Sequence, residues 1–251
     1  MSSSIANAYE VNFVRHGEST WNVEGRMQGQ GILSTSDEKP EGKYQIITGA
    51  KGEKFIDSAV LTEKGKEQAK ELAEVIKASL ADKRNVLLLS SDLLRCKQTA
   101  EVVEKTLKSA GFNVTVQYDP RLREANHGRL SGMYEREYRA LDYFQNYKKL
   151  NPEEQFKTAM DPLFGENYLT VAKRTHDAIV DAIKQFPEHE IYAITHGGPM
   201  RASYAYLKDD SVPFSDEYNI ANQIKNCAMM TVRGYGASNS NLQIELKNLA
   251  K

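Results

Sequence analysis

Apolar and polar positions along this chain switch between two periods. "YEVNFVRH" (9–16), "NVLLLSSD" (85–92), "NVTVQYD" (113–119) and "EIYAITHG" (190–197) are short strand-like runs. The run at 85–92 is continuously apolar, as expected of a strand covered on both faces. Between these runs the apolar residues recur at helical spacing. Leu72, Val75, Ile76 and Leu80 share one face of 61–80. Ala100, Val103 and Leu107 mark a helix over about 93–110 that stops at Gly111. Val171, Thr175, Ala178, Ile179, Ala182, Ile183 and Phe186 form a stripe along 167–186, just ahead of Pro187. "QIKNCAMMTVRGY" and "NLQIELKNL" read as a closing pair of strands. Alternation of strand and helix predicts an α/β three-layer sandwich, with a mostly parallel central sheet and helices on both faces. One domain over 1–251 is expected, with no internal repeat and no linker.

Two stretches break the rhythm. Residues 28–57, "QGQGILSTSDEKPEGKYQIITGAKGEKFID", read as an irregular insertion: a surface excursion more than a lid, with "KYQIITGAKGEKFI" as a small hairpin. Residues 133–165 are aromatic and charged, and helical in pieces broken at Pro152 and Pro162.

A length of 251 residues suffices for a core without staples. With 33 basic and 34 acidic residues the formal charge is −1, so neither a nucleic-acid nor a membrane footprint is expected. No run reaches the ~18 apolar residues of a spanning helix. "MSSSIANAYE" lacks the apolar core of a signal peptide. The two cysteines, Cys96 and Cys227, read as free thiols in a reducing compartment, so the cytoplasm is expected.

Ligands of open α/β sheets gather beyond the carboxyl ends of the strands. Here those ends carry Arg15-His16-Gly17, then Ser90-Ser91-Asp92 leading to Arg95, then "RLREANHG", then Thr195-His196-Gly197-Gly198. Arginine forks bind phosphate oxygens bidentately, and a histidine can attack phosphorus. The glycines after His16 and His196 are expected to let a phosphate approach the backbone. The neighbouring arginines argue against a metal at these histidines, so no metal site is expected. Cys96 reads as a small buried thiol with no evident base, Trp21 as a packing residue, and Lys148 and Lys149 as a solvated face. Of the remaining histidines, His127 is the one expected to border the pocket.

These segments resemble the histidine phosphatase superfamily in its phosphoglycerate mutase-like branch. "RHGESTWN" matches R-H-G-[ET]-x-x-x-N, and "SSDLLRCKQTAE" is similar to S-x-x-x-R-x-x-x-T-A. "RLREANHGRLSG" is similar to L-x-E-x-x-x-G-x-x-x-G, and "ITHGGPMR" to the second histidine motif. "GRMQG", "LTEKG" and "GENYLTVAKR" follow in the expected order. The resemblance implies that His16 is phosphorylated, with Arg15, Arg95 and His196 binding the transferred group. It further implies that Asn22 hydrogen-bonds that group, that backbone around Gly197 lines the pocket, and that Glu124 gives and takes the proton. Among the nearby carboxylates Glu18, Asp92, Asp119 and Glu124, it selects the last. Arg15 and Arg95 should hold His16 neutral while favouring an ionised Glu124, a conflict that an incoming phosphate dianion would offset.

The expected activity is hydrolysis of phosphomonoesters through a phosphohistidine, without a metal or other cofactor. The alternative is a phosphoglycerate mutase using 2,3-bisphosphoglycerate; a binding protein without catalysis fits least, since no catalytic position is missing. "THGGPMR" and "EANHG" depart from the mutase-type "AHGNSLR" and "ERHYG". A phosphorylated small molecule is the expected partner, with a phosphoprotein also compatible.

Overall fold

A computed structural model describes residues 9–34, 41–80, 85–208, 224–235 and 242–248. The opening segment 1–8 and the middle of the insertion, 35–40, lie outside the described residues. The first strand, β1 (Tyr9–Arg15), leads into a short helix, α1 (Thr20–Glu24). Three small strands follow: β2 (Ile32–Leu33), β3 (Gln45–Thr48) and β4 (Lys54–Asp57). Then come α2 (Glu63–Ser79), β5 (Asn85–Ser90), α3 (Leu94–Ser109) and β6 (Asn113–Tyr118). Short helices α4 (Glu135–Tyr138), α5 (Asp142–Lys149) and α6 (Pro152–Lys157) precede α7 (Tyr168–Gln185). The chain closes with β7 (Glu190–Thr195), α8 (Gly197–Lys208), β8 (Met229–Tyr235) and β9 (Gln243–Lys247).

The main sheet has the order β6-β5-β7-β1-β8-β9. The first four strands are mutually parallel, and β8 and β9 add antiparallel at one edge. On one face Ala178, Ile179, Ala182 and Ile183 of α7 and Met200 and Leu207 of α8 pack on Phe13, Leu87 and Ile191. On the other, Leu72 and Ile76 of α2 and Ala100, Val103 and Leu107 of α3 pack on Val14, Leu88 and Ile194. Successive residues of a strand thus face opposite helical layers, as the two-residue period requires. The expected three-layer α/β architecture is what the chain adopts.

Local chemistry fixes the helix ends. Thr62 and Asn167 cap α2 and α7 by accepting the N–H groups of Gly65 and Thr170. The expected break falls at Pro152: α5 ends at Lys149, and Pro152 opens α6 in its first turn, where a missing N–H costs nothing. Residues 28–57 also depart from the irregular reading. The expected hairpin forms between β3 and β4, and β2 joins β4 to make a small antiparallel sheet. Phe55 is fully buried with Ile47 and Leu93, which docks this sheet on the segment entering α3.

Candidate active site

Parallel pairing decides which residues meet. Arg15 of β1 is in register with Thr195 of β7, so His16 and His196 emerge side by side. Their rings lie 5.1 Å apart at 60°, edge to face. Ser90 of β5 pairs with Ile194, and that places Ser91 beneath His196, with Ser91 Oγ 2.9 Å from His196 Nε2. Arg95 reaches in from the first turn of α3, fully buried, and donates Nε–H to His16 Nε2 at 3.3 Å. A second guanidinium nitrogen of Arg95 donates to the carbonyl of Gly29.

The hydrogen bonds of His16 fix its tautomer. Its Nδ1 lies 2.7 Å from the Gly17 carbonyl, which can only accept, so Nδ1 carries the proton and Nε2 the lone pair. Burial first, and then Arg95 and Arg15, push His16 well below the usual histidine range. His196 is pushed the same way by burial, then Arg95 and His16. Both rings are neutral at physiological pH. Arg15 anchors through Nη1 on the Ile224 carbonyl, and burial pulls its pKa down to about 10, leaving it charged at pH 7.

Glu124 follows the short turn after β6. One carboxylate oxygen accepts the N–H of Ala125, and the other accepts that of Gly198 in α8 at 3.2 Å. Gly198 has a steric reason to be glycine: a Cβ there would stand 2.0 Å from Glu124 Oε1. The Glu124 main chain is held by Arg174, which donates to its carbonyl and forks onto Glu166. Gly17 has a packing reason to be glycine as well. A Cβ at that position would strike the Gly65 carbonyl at 2.4 Å, so its smallness serves close packing of α2.

Arg15, His16, Glu124 and Gly197 line a cavity of about 370 Å³. Arg95 and His196 are not among the lining residues; both are fully buried and touch the lining residue His16. Asn22 is not in the lining. Its side-chain oxygen accepts the N–H and hydroxyl of Ser19 and the amide of Asn226, so it braces the loop after β1.

The outer wall holds residues assigned no role from the sequence, although several lie inside the quoted motif segments. Met27 and Gln28 enter from the stretch before β2, so the excursion contributes to the mouth as well as the surface. Tyr138, Phe144, Tyr147 and Tyr168 supply an aromatic wall, and Lys148, read as a solvated residue, stands at its rim. His127 does border the cavity, buried, with its Nδ1 unpartnered. Arg201 lines it too. It closes the segment "ITHGGPMR" and lies four residues from Gly197 in α8, an interval that keeps a helix face. Cys96 has a histidine beside it, His196 Nε2 at 3.4 Å, yet burial drives the thiol strongly upward and away from reactivity.

Comparison with known proteins agrees with this geometry. Residues 52–244 match the histidine phosphatase superfamily (branch 1). A metal-independent phosphoserine phosphatase of Arabidopsis thaliana is 32% identical over 210 residues, 80% of this chain and 70% of that protein. A Cronobacter sakazakii protein named "Probable phosphoglycerate mutase GpmB" is 28% identical over 190 residues, 75% of this chain and 69% of its own length. Among solved structures, mycobacterial glucosyl-3-phosphoglycerate phosphatase superposes with a TM-score of 0.64 at 22% identity, covering 96% of this chain and 98% of that one. Phosphoserine phosphatase of Entamoeba histolytica gives 0.63 at 22% identity, covering 95% of each chain. The chain belongs to the histidine phosphatase superfamily, and it is an enzyme of the phosphatase class, a phosphoric monoester hydrolase.

Proposed function

We propose that this enzyme hydrolyses small phosphomonoesters, without a metal ion, by passing the phosphoryl group through His16 Nε2 to water. The observation that carries the reading is the Nδ1–H bond of His16 to the Gly17 carbonyl, which leaves an unprotonated Nε2 against the Arg95 guanidinium. The roles follow from position. Arg15 and Arg95 bind the equatorial oxygens and neutralise charge that spreads over them. His196 lies beside His16 and contributes a further hydrogen bond, and the Gly197 backbone borders the same space.

In the first step Nε2 forms a bond to phosphorus as the ester P–O bond breaks. Glu124 gives its proton to the departing alkoxide. In the second step Glu124, now ionised, takes a proton from water, the water oxygen bonds to phosphorus, and the P–N bond breaks to free His16 and phosphate. The paired arginines would repel a divalent metal ion from the two histidines. The substrate class we favour is a small phosphorylated metabolite such as phosphoserine, on which the Arabidopsis relative is named to act. Two buried free cysteines fit a reducing compartment, the cytoplasm. Among the described residues no helix is long and apolar enough to cross a membrane.

The test is phosphorus NMR in EDTA, with phosphoserine, other phosphomonoesters, and 3-phosphoglycerate plus catalytic 2,3-bisphosphoglycerate. Phosphate release that disappears in His16→Ala, with an acid-labile phosphoenzyme trapped in the parent, is the expected result. Rapid 2-phosphoglycerate formation without free phosphate would make the enzyme a mutase instead.

A further inference from the structure

Asp57 ends β4 with its side chain fully buried. Its Oδ2 accepts the N–H of Leu94 at 2.8 Å and an amide hydrogen of Gln45 at 2.8 Å. Helix α3 has no capping side chain of its own, because Leu93 occupies that position. Asp57 therefore caps, from another element, the helix that carries Arg95. Its Oδ1 makes no hydrogen bond and stands 3.9 Å from Arg95 Nη1, which also lacks a hydrogen-bond partner. Burial raises the Asp57 pKa, while Arg95 and the surrounding donors oppose that rise. These partners are all donors, the environment of a carboxylate rather than a carboxylic acid.

The other donors of Arg95 go to His16 Nε2 and to the Gly29 carbonyl. Two of the three groups around this guanidinium thus come from residues 28–57. The same stretch is fastened to the turn that precedes α3. Gln45 donates to the Asp92 carbonyl and accepts from Lys97, and Thr48 accepts from Arg123, whose guanidinium also grips the Asp92 carboxylate.

We propose that Asp57 is a positioning residue that fixes the orientation of Arg95 and, through its negative charge, limits how tightly the cradle holds phosphate. The inference rests on the phosphatase reading, since it takes Arg95 to bind the phosphoryl group. Arg15 and Arg201 line the same cavity, with Arg26, Arg139 and Lys148 farther along its wall, Arg95 touches His16, and Glu124 carries the opposing charge. A buried carboxylate behind Arg95 repels a phosphate dianion, and at effective protein dielectric its loss should tighten phosphate binding about tenfold. Weak product binding favours release, so the negative charge assists turnover even as it offsets binding.

The experiment compares the full chain with Asp57→Asn and Asp57→Glu. It measures kcat and KM on p-nitrophenyl phosphate, the inhibition constant of inorganic phosphate, and Tm. In Asp57→Asn the inhibition constant and KM should fall about tenfold, and kcat should fall with them as release slows. Asp57→Glu, which keeps the charge, should restore the parental inhibition constant. If the amide variant misfolds, Asp57→Ser, a neutral residue that can still accept the Leu94 N–H, should show the same tightening. An unchanged or raised phosphate inhibition constant in a folded neutral variant would reduce Asp57 to a helix cap and overturn the inference alone. A parent enzyme that neither hydrolyses the ester nor binds phosphate would overturn the phosphatase reading, and this inference with it.

Discussion

The Nε–H of Arg95 donates to Nε2 of His16 from 3.3 Å, so the lone pair that would attack phosphorus is held by this arginine. The guanidinium that would hold the phosphoryl group therefore also keeps the nucleophile unprotonated. Together with burial and Arg15, it places His16 well below the normal histidine range. The rate on the acid side should accordingly show no loss from His16 at pH 6.5, where an ordinary histidine half-protonates. A pH profile of kcat/KM for a substrate of constant ionisation checks this. An acid limb centred near 6.5 would show that His16 titrates as an ordinary histidine and would overturn this expectation.

The same histidines link pH to stability. His16, His127 and His196 all have native pKa values below their unfolded value of about 6.5. Below pH 6.5 the unfolded chain therefore binds protons that the native state refuses, and stability falls as pH drops through that window. Above it their effect on stability is constant. Urea midpoints at pH 7.5, 6.5 and 5.5 should be nearly level over the first interval and drop over the second.

Glu124→Gln separates acid catalysis from binding. The amide still accepts one main-chain N–H but has no proton to give a leaving alkoxide. Turnover of phosphoserine should fall about 10²–10⁴-fold, while p-nitrophenyl phosphate, whose leaving group needs little help, should lose far less. Equal losses on both substrates would remove Glu124 from the acid role.

Two glycines should fail in different ways. Gly198→Ala puts a Cβ into the Glu124 carboxylate, a movable side chain, so kcat should drop sharply with only a small change in Tm. Gly17→Ala drives a Cβ into the Gly65 main chain, which can yield only if α2 shifts, and should cost about 1–3 kcal/mol of stability. Steady-state kinetics and thermal melts on both variants decide it.

Arg174 holds the Glu124 and Arg121 carbonyls while pairing with Glu166. Lysine keeps the charge but cannot reproduce the fork, so Arg174→Lys should lower kcat roughly tenfold by loosening the Glu124 loop. A kcat loss with KM little changed is expected; parental kcat would show that the loop is held without it.

How much of this was legible in the chain follows from which forces are local. The strands and the long helices could be read because their periods encode which face is covered. Leu72 and Ile76 of α2, and Ala178, Ile179, Ala182 and Ile183 of α7, do lie in the two core layers. His16, Arg95 and His196 could be singled out because parallel strands deliver their carboxyl ends to one edge, whatever lies between them in sequence. Glu124, by contrast, was selected among four carboxylates only by the family resemblance. The surroundings of Asn22 were not legible, because a motif position does not say which neighbour takes its oxygen, and Ser19 and Asn226 do. The packing demand on Gly17 was not legible either, because the atom it avoids belongs to Gly65, on another element.

The layer architecture and the residue types of the cradle are thus written in the chain, since both follow from periodicity and from strand ends. The tautomer of His16, the capping of α3 by Asp57, and the cavity wall made by residues 27–28 and α4–α5 arise only on folding. Those depend on contacts between elements far apart in the chain, and neither period nor motif spacing carries the distances between such groups.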